Sequence, residues 1–222
     1  MRLSKHSLLS IPKSMSGFTM IELLIVIAIL GILAVAVLSA INPVEQINRG
    51  RDTGSRSDAE QLLSAVDRFN AFQGYFPWVS APADDSTLDD GAAGPLVVDD
   101  AWFAYDGGTL TDCQVLDRLA EGAVGGTDPC TGSQELKISF TQRVTGGSYN
   151  PLFIYNRGGQ GDSTYVCFVP QSGAFIQEAE NRCGDEAGAN LPGDLAPIAA
   201  SVCGGHSAGA APNPDNMMVC LP

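Results

Sequence analysis

The chain has 222 residues, of which 45% are hydrophobic and 17% charged, and its formal charge is −13. The length suits one ordinary domain with an appendage, and the acidity argues against broad affinity for phosphate backbones or nucleic acid. From Gly74 onward 19 acids face 5 Lys/Arg, a balance that keeps an exported head soluble.

Residues 1–17 (MRLSKHSLLSIPKSMSG) are short, basic and only weakly apolar. They carry Arg2, Lys5 and Lys13 and no acid, so removing them takes the formal charge from −13 to −16. Phe18 to Ile41 is almost wholly apolar. As a helix it is about 36 Å long, enough for a hydrocarbon core of about 30 Å. Basic residues before the span predict that the leader stays cytoplasmic. An ordinary secretory signal would place its apolar core before the cleavage site and lose it. Here the expected cut, Gly17–Phe18, precedes the apolar block, which is kept.

Glu22 is a lone carboxylate in that block. An unpaired carboxylate in hydrocarbon costs several kcal/mol and normally faces a partner. A new α-amino group at Phe18, from the same chain or a neighbour, is one partner. The other reading is a polar residue near the helix end that snorkels to the interface.

The run Gly17-Phe18-Thr19-Met20-Ile21-Glu22-Leu23-Leu24 resembles the class III signal sequence of type IV prepilins and type II secretion pseudopilins. The resemblance covers about the first 45 residues. It implies cleavage after Gly17 by a membrane prepilin peptidase and N-methylation of Phe18. It also implies a role for Glu22 in neutralising a neighbouring N-terminus, and self-assembly through the helix on an inner-membrane platform. Gly31 falls where many pilins carry a helix-loosening glycine. Many type IV pilins have a proline where this chain has Ser39, and the nearest here is Pro43. A proline removes a helix hydrogen bond, so the break is expected toward Asn42-Pro43.

From Val44 the pattern turns amphipathic: Ala59, Leu62, Leu63, Val66 and Phe69 repeat at helical spacing. Gly50 and Gly54 each weaken a helix by about 1 kcal/mol relative to Ala, which predicts flexing or unwinding between Pro43 and Gly54. Gly74 and Pro77 stop the helix. The run from Asp58 to Pro77 resembles the stretch of pilins and major pseudopilins whose helix packs on the head's sheet.

In the head, Val79 to Gly94 reads as loop and Cys113 to Glu121 as a short helix. Leu136–Val144, Leu152–Tyr155, Thr164–Val169 and Met217–Leu221 read as strands. Arg157–Asp162 reads as a turn between two of them, and Ser172–Cys183 as a capped helix. The expected class is α+β and pilin-like, a long N-terminal helix packed on a small antiparallel sheet. The expected organisation is a leader (1–17), a membrane or filament-core helix (18–41), an amphipathic second half (42–76) and a disulfide-bonded head (77–222).

Six cysteines downstream of an export-like segment suggest disulfides. Of the 15 pairings, sequence neighbours are favoured: Cys113 with Cys130, Cys167 with Cys183, Cys203 with Cys220. Cys167 and Cys220 sit in similar strand contexts, which leaves the last four open to other pairings.

Catalytic and metal motifs are weak. Gly205-His206-Ser207-Ala208-Gly209 matches the nucleophile elbow G-x-S-x-G, but that motif needs a strand before the serine and a helix after it. No histidine follows Ser207 to act as its base. Cys203 and His206 lack the second ligand pair zinc requires. Asp162, Asp185, Asp194 and Asp215 lie in loops whose oxygens suit calcium, and some major pseudopilins bind calcium in the head. No matching loop motif is present, so solvated acids and no cofactor are expected. The leading expectation is a non-catalytic pilus subunit, anchored in the inner membrane as precursor and at the cell surface once assembled. A type II secretion pseudopilin is the alternative, and a non-polymerising anchored binding domain the competitor from another class.

Overall fold

The computed structural model describes residues 17–40, 42–79, 94–98, 114–120, 133–146, 150–158, 161–184, 188–204 and 217–222. The chain divides into two compact units, one up to Pro43 and one from Val44 to Pro222.

The first unit is the helix α1, Met20–Ala40. Its side chains are apolar all round, and every one described is exposed, Leu30 at 58% and Ile32 at 72%. A helix apolar on all sides belongs inside a membrane or among other helices. By length and composition Met20–Ser39 is sufficient to cross a bilayer.

The second unit takes in α2, Pro43–Gln73, from its second residue onward. Pro43 opens the helix, in the first-turn position where a missing N–H costs nothing. The interruption between α1 and α2 thus falls at the proline expected to cause it. The unwinding expected between Pro43 and Gly54 does not occur, and α2 runs unbroken through both glycines. Tertiary contacts override the weak propensity: Asp52 and Ser55 are buried there, and the Asp52 carboxylate accepts hydrogen bonds from the Gln171 and Ser172 N–H groups. The helix ends at Gly74, whose φ of +80° supplies the left-handed turn that closes many helices.

Four strands, β1 (Leu96–Val97), β2 (Leu152–Asn156), β3 (Thr164–Phe168) and β4 (Val219–Leu221), form one sheet in that order. Each neighbouring pair is antiparallel. Alternation along the strands sorts the side chains onto two faces. Leu152, Ile154, Val166, Phe168, Val219 and Leu221 join Leu62, Val66 and Phe69 of α2 in the main core. Tyr155, Tyr165, Cys167 and Cys220 point the other way, into a second cluster with Leu195, Ile198 and Val202. The architecture is α+β and pilin-like, a helix laid on a small antiparallel sheet.

The remaining helices are α3 (Val115–Leu119), α4 (Ile138–Val144), α5 (Gly173–Cys183) and α6 (Ala199–Val202), the last preceded by a 3-10 turn at Ala196–Ile198. Leu136–Val144, expected as a strand, is mainly the helix α4. Its apolar residues alternate, but Leu136, Phe140 and Val144 also recur every four positions, and these three are the buried ones. Arg143 of α4 then reaches back to pair with Asp58 of α2.

The neighbour pairing expected for the last four cysteines is also corrected. Cys167 bonds Cys220, and Cys183 bonds Cys203. Sheet register decides the first: Cys167 stands directly opposite Cys220, with Cα atoms 4.0 Å apart, the close spacing of a pair that exchanges no ladder hydrogen bonds. The second ties the last turn of α5 to the residue after α6, behind the same sheet face. Cys113 and Cys130 lie outside the described residues.

Candidate functional site

The residues singled out in the sequence meet at the start of α1. Phe18 is 78% exposed and lies just before the helix. A side chain added at Gly17 would meet nothing within 4 Å, so no packing among the described residues demands a glycine there. Glu22 is the acid of the first helical turn, where a negative charge is favoured by the helix dipole.

Thr19, which sequence reading passed over, begins the helix. Its carbonyl accepts from the Glu22 and Leu23 N–H groups at 3.1 and 3.2 Å, and its hydroxyl accepts from the Glu22 N–H at 3.3 Å. This is the serine/threonine half of a capping box, and the signal T-x-x-E was present in Thr19 to Glu22. The Glu22 side chain is exposed and makes no hydrogen bond or ion pair among the described residues. Four residues separate Phe18 from Glu22, about one helical turn. An amine freed at Phe18 would therefore lie within a turn of an unsatisfied carboxylate. The leader, residues 1–16, lies outside the described residues.

The head's polar groups are engaged in structure. Asp194 accepts from the Ser163 N–H at 3.0 Å and from the Tyr165 hydroxyl at 2.9 Å. Burial, then the Asp194 hydrogen bond and charge, push the Tyr165 hydroxyl up to about 12. Partial burial alone would raise the Asp194 carboxyl, but hydrogen bonds from Ser163 and Tyr165, its own backbone N–H and the Arg157 charge outweigh it and hold the group below the usual carboxylate range. Asp162 lies 3.9 Å from the Arg157 guanidinium. The structure thus gives two of the four acids considered for calcium other partners, and Asp185 and Asp215 lie outside the described residues. Among the described residues no three His, Cys, Asp or Glu side chains are grouped to hold a metal. Cys203 is in a disulfide and has no thiolate for zinc, while His206 and Ser207 lie outside the described residues.

A second arrangement invisible in the sequence is the docking of α5 on α2. Asp52 accepts from the Gln171 and Ser172 N–H groups and from the Ser172 hydroxyl at 2.6 Å. Glu45 accepts from the Gly173 N–H at 3.2 Å. Two carboxylates of α2 therefore cap α5 from outside its own chain segment, in place of the expected Ser172 cap, whose hydroxyl is turned to Asp52.

Residues 12–38 match the family model described as the prokaryotic N-terminal methylation motif. The chain thus carries the class III signal sequence of type IV pilins and pseudopilins over that stretch. No curated protein and no solved structure matches the chain.

Proposed function

We propose that this chain is a prepilin, a structural and non-catalytic subunit of a type IV pilus or pilus-like filament. Prepilin peptidase removes residues 1–17 and the new N-terminus at Phe18 is methylated. Phe18–Ile41 anchors the precursor in the inner membrane with the acidic head outside the cytoplasm. On assembly, α1 passes from lipid to a core formed by the α1 helices of neighbouring subunits. The observation that carries this reading is the methylation motif at residues 12–38 leading into a helix with no cover of its own.

Within that reading Glu22 has the task of pairing with the N-terminus of a neighbouring copy. An incoming subunit brings a positive N-terminus into an apolar core, where an isolated charge is costly. A carboxylate one turn into a neighbouring helix neutralises it and fixes the register. The six cysteines and the long glycine-rich head favour a surface pilus over a secretion pseudopilus. The test is Glu22→Ala in cells that carry a pilus assembly system. The variant is expected to insert in the membrane at wild-type level while sheared surface filaments, seen by electron microscopy, are lost. Wild-type filament yield from Glu22→Ala would remove the role given to Glu22, and no filaments from the unaltered chain would favour the anchored domain.

A further inference from the structure

We infer that α2 carries a complementary pair, Arg49 and Asp67, through which successive copies of this chain dock side by side at a fixed stagger; this rests on the filament reading above.

The pair stands out because most of the charged side chains around it already have partners. Arg56 pairs with Glu60 and Glu178, Arg68 with Glu135, Arg143 with Asp58 and Arg182 with Glu178. Among the acids of α2, Glu45 and Asp52 cap α5. Arg49 and Asp67 are exposed, and neither side chain has a partner among the described residues. Partial desolvation raises the Asp67 carboxyl, the situation of an anion lacking a cation.

Their positions are matched. Eighteen residues separate them, which is five full turns at 3.6 residues per turn, so both lie on one azimuth of α2, about 27 Å apart along its axis. That distance forbids a contact within one copy. In a filament every copy stands in the same orientation to the common axis, so the α2 helices of neighbouring copies run in the same sense. Two parallel copies that turn this face toward each other, displaced by about 27 Å, bring Arg49 of one against Asp67 of the other. Each copy then still offers one free end, and a contact of that head-to-tail kind propagates without closing.

Along the face between the two charges α2 carries no other charged side chain without a partner among the described residues. Thr53, Ser64 and Ala71 lie near this azimuth and are short, and the charged residues there, Arg56 and Glu60, pair with each other. Arg51 is exposed as well, but it lies about 160° round the helix from Arg49. Charge pairs at a wet surface set register and reject wrong partners more than they add affinity, which is the need of a polymer that must repeat one geometry.

The experiment uses the full chain, expressed with prepilin peptidase and an assembly platform, and reads sheared filament yield beside the processed subunit left in the membrane. Arg49→Glu and Asp67→Arg, made singly, place like charges together and are expected to cut filament yield by about tenfold. Leader removal should be unchanged. The double reversal R49E/D67R should restore the yield. As a second measurement, R49C/D67C should give a ladder of cross-linked multimers on oxidation of the filaments. Single reversals that assemble like the unaltered chain, a double reversal no better than the singles, or no ladder would each overturn the pairing while the filament reading stands. Absence of filaments from the unaltered chain would overturn both.

Discussion

Asp52 shows how much of this head rests on single side chains. It is fully buried, and both carboxylate oxygens are engaged by the segment that opens α5. Removing it strands two backbone N–H groups and a hydroxyl. Asp52→Ala should therefore destabilise the head by about 3 kcal/mol, read from the shift of a denaturant midpoint, whereas Glu45→Ala, at a half-exposed site, should cost under about 1 kcal/mol. None of this was legible in the sequence. The partners lie 119 and 120 positions away, and Asp52 sits between two glycines in a stretch that reads as weak helix. Glu22 was legible for the opposite reason: a charge in an apolar run is conspicuous without any knowledge of the fold. Thr19, one turn before it, was passed over, although T-x-x-E before an apolar run is a capping signal.

At the scale of elements, α2 is a helix held by its surroundings. Its buried stripe, Ala59, Leu62, Val66 and Phe69, was readable from spacing, while its continuity through Gly50 and Gly54 was not. A side chain at Gly54 would meet nothing within 4 Å, and the backbone there is helical. Gly54→Ala should raise head stability by about 1 kcal/mol, again checked by denaturant unfolding; a loss of stability would mean that the glycine is needed within the subunit. The strands β2 and β3 were legible because they are long and apolar on both faces. β1 is two residues long, too short for periodicity to register. α4 was misread because every-second and every-fourth spacing coincide over Leu136–Val144, and only burial separates them. The cysteine connectivity is likewise a property of register. Cys167 and Cys220 become neighbours only when β4 returns beside β3, a pairing that closes a separation of 53 residues. Arg182 of α5 then donates to the Cys220 carbonyl at 2.9 Å. That carbonyl is on the edge strand of the sheet, so α5 covers an edge that would otherwise offer free hydrogen-bonding groups.

At the scale of the whole molecule the two units pose opposite problems. The head buries its own core and carries an excess of acid suited to water. Every described side chain of α1 is exposed, and a helix of 21 apolar-rich residues exposed to water is strongly unfavourable at roughly 25 cal/mol per Å² of apolar surface. It calls for an apolar surround, and the proposed life of the chain supplies lipid first and the helices of other copies afterwards. The signals for this were contiguous in sequence, which is why the N-terminal region could be read directly while the head, assembled from distant segments, was readable in single elements but not in its docking or cysteine connectivity. The measurement that tests the proposal most directly is the intact mass of the chain after co-expression with a prepilin peptidase. The expected product lacks residues 1–17 and carries one methyl group on Phe18, and substitution of Gly17 blocks its formation. A chain that keeps its leader, or is cut elsewhere, in a host that processes other prepilins would contradict it.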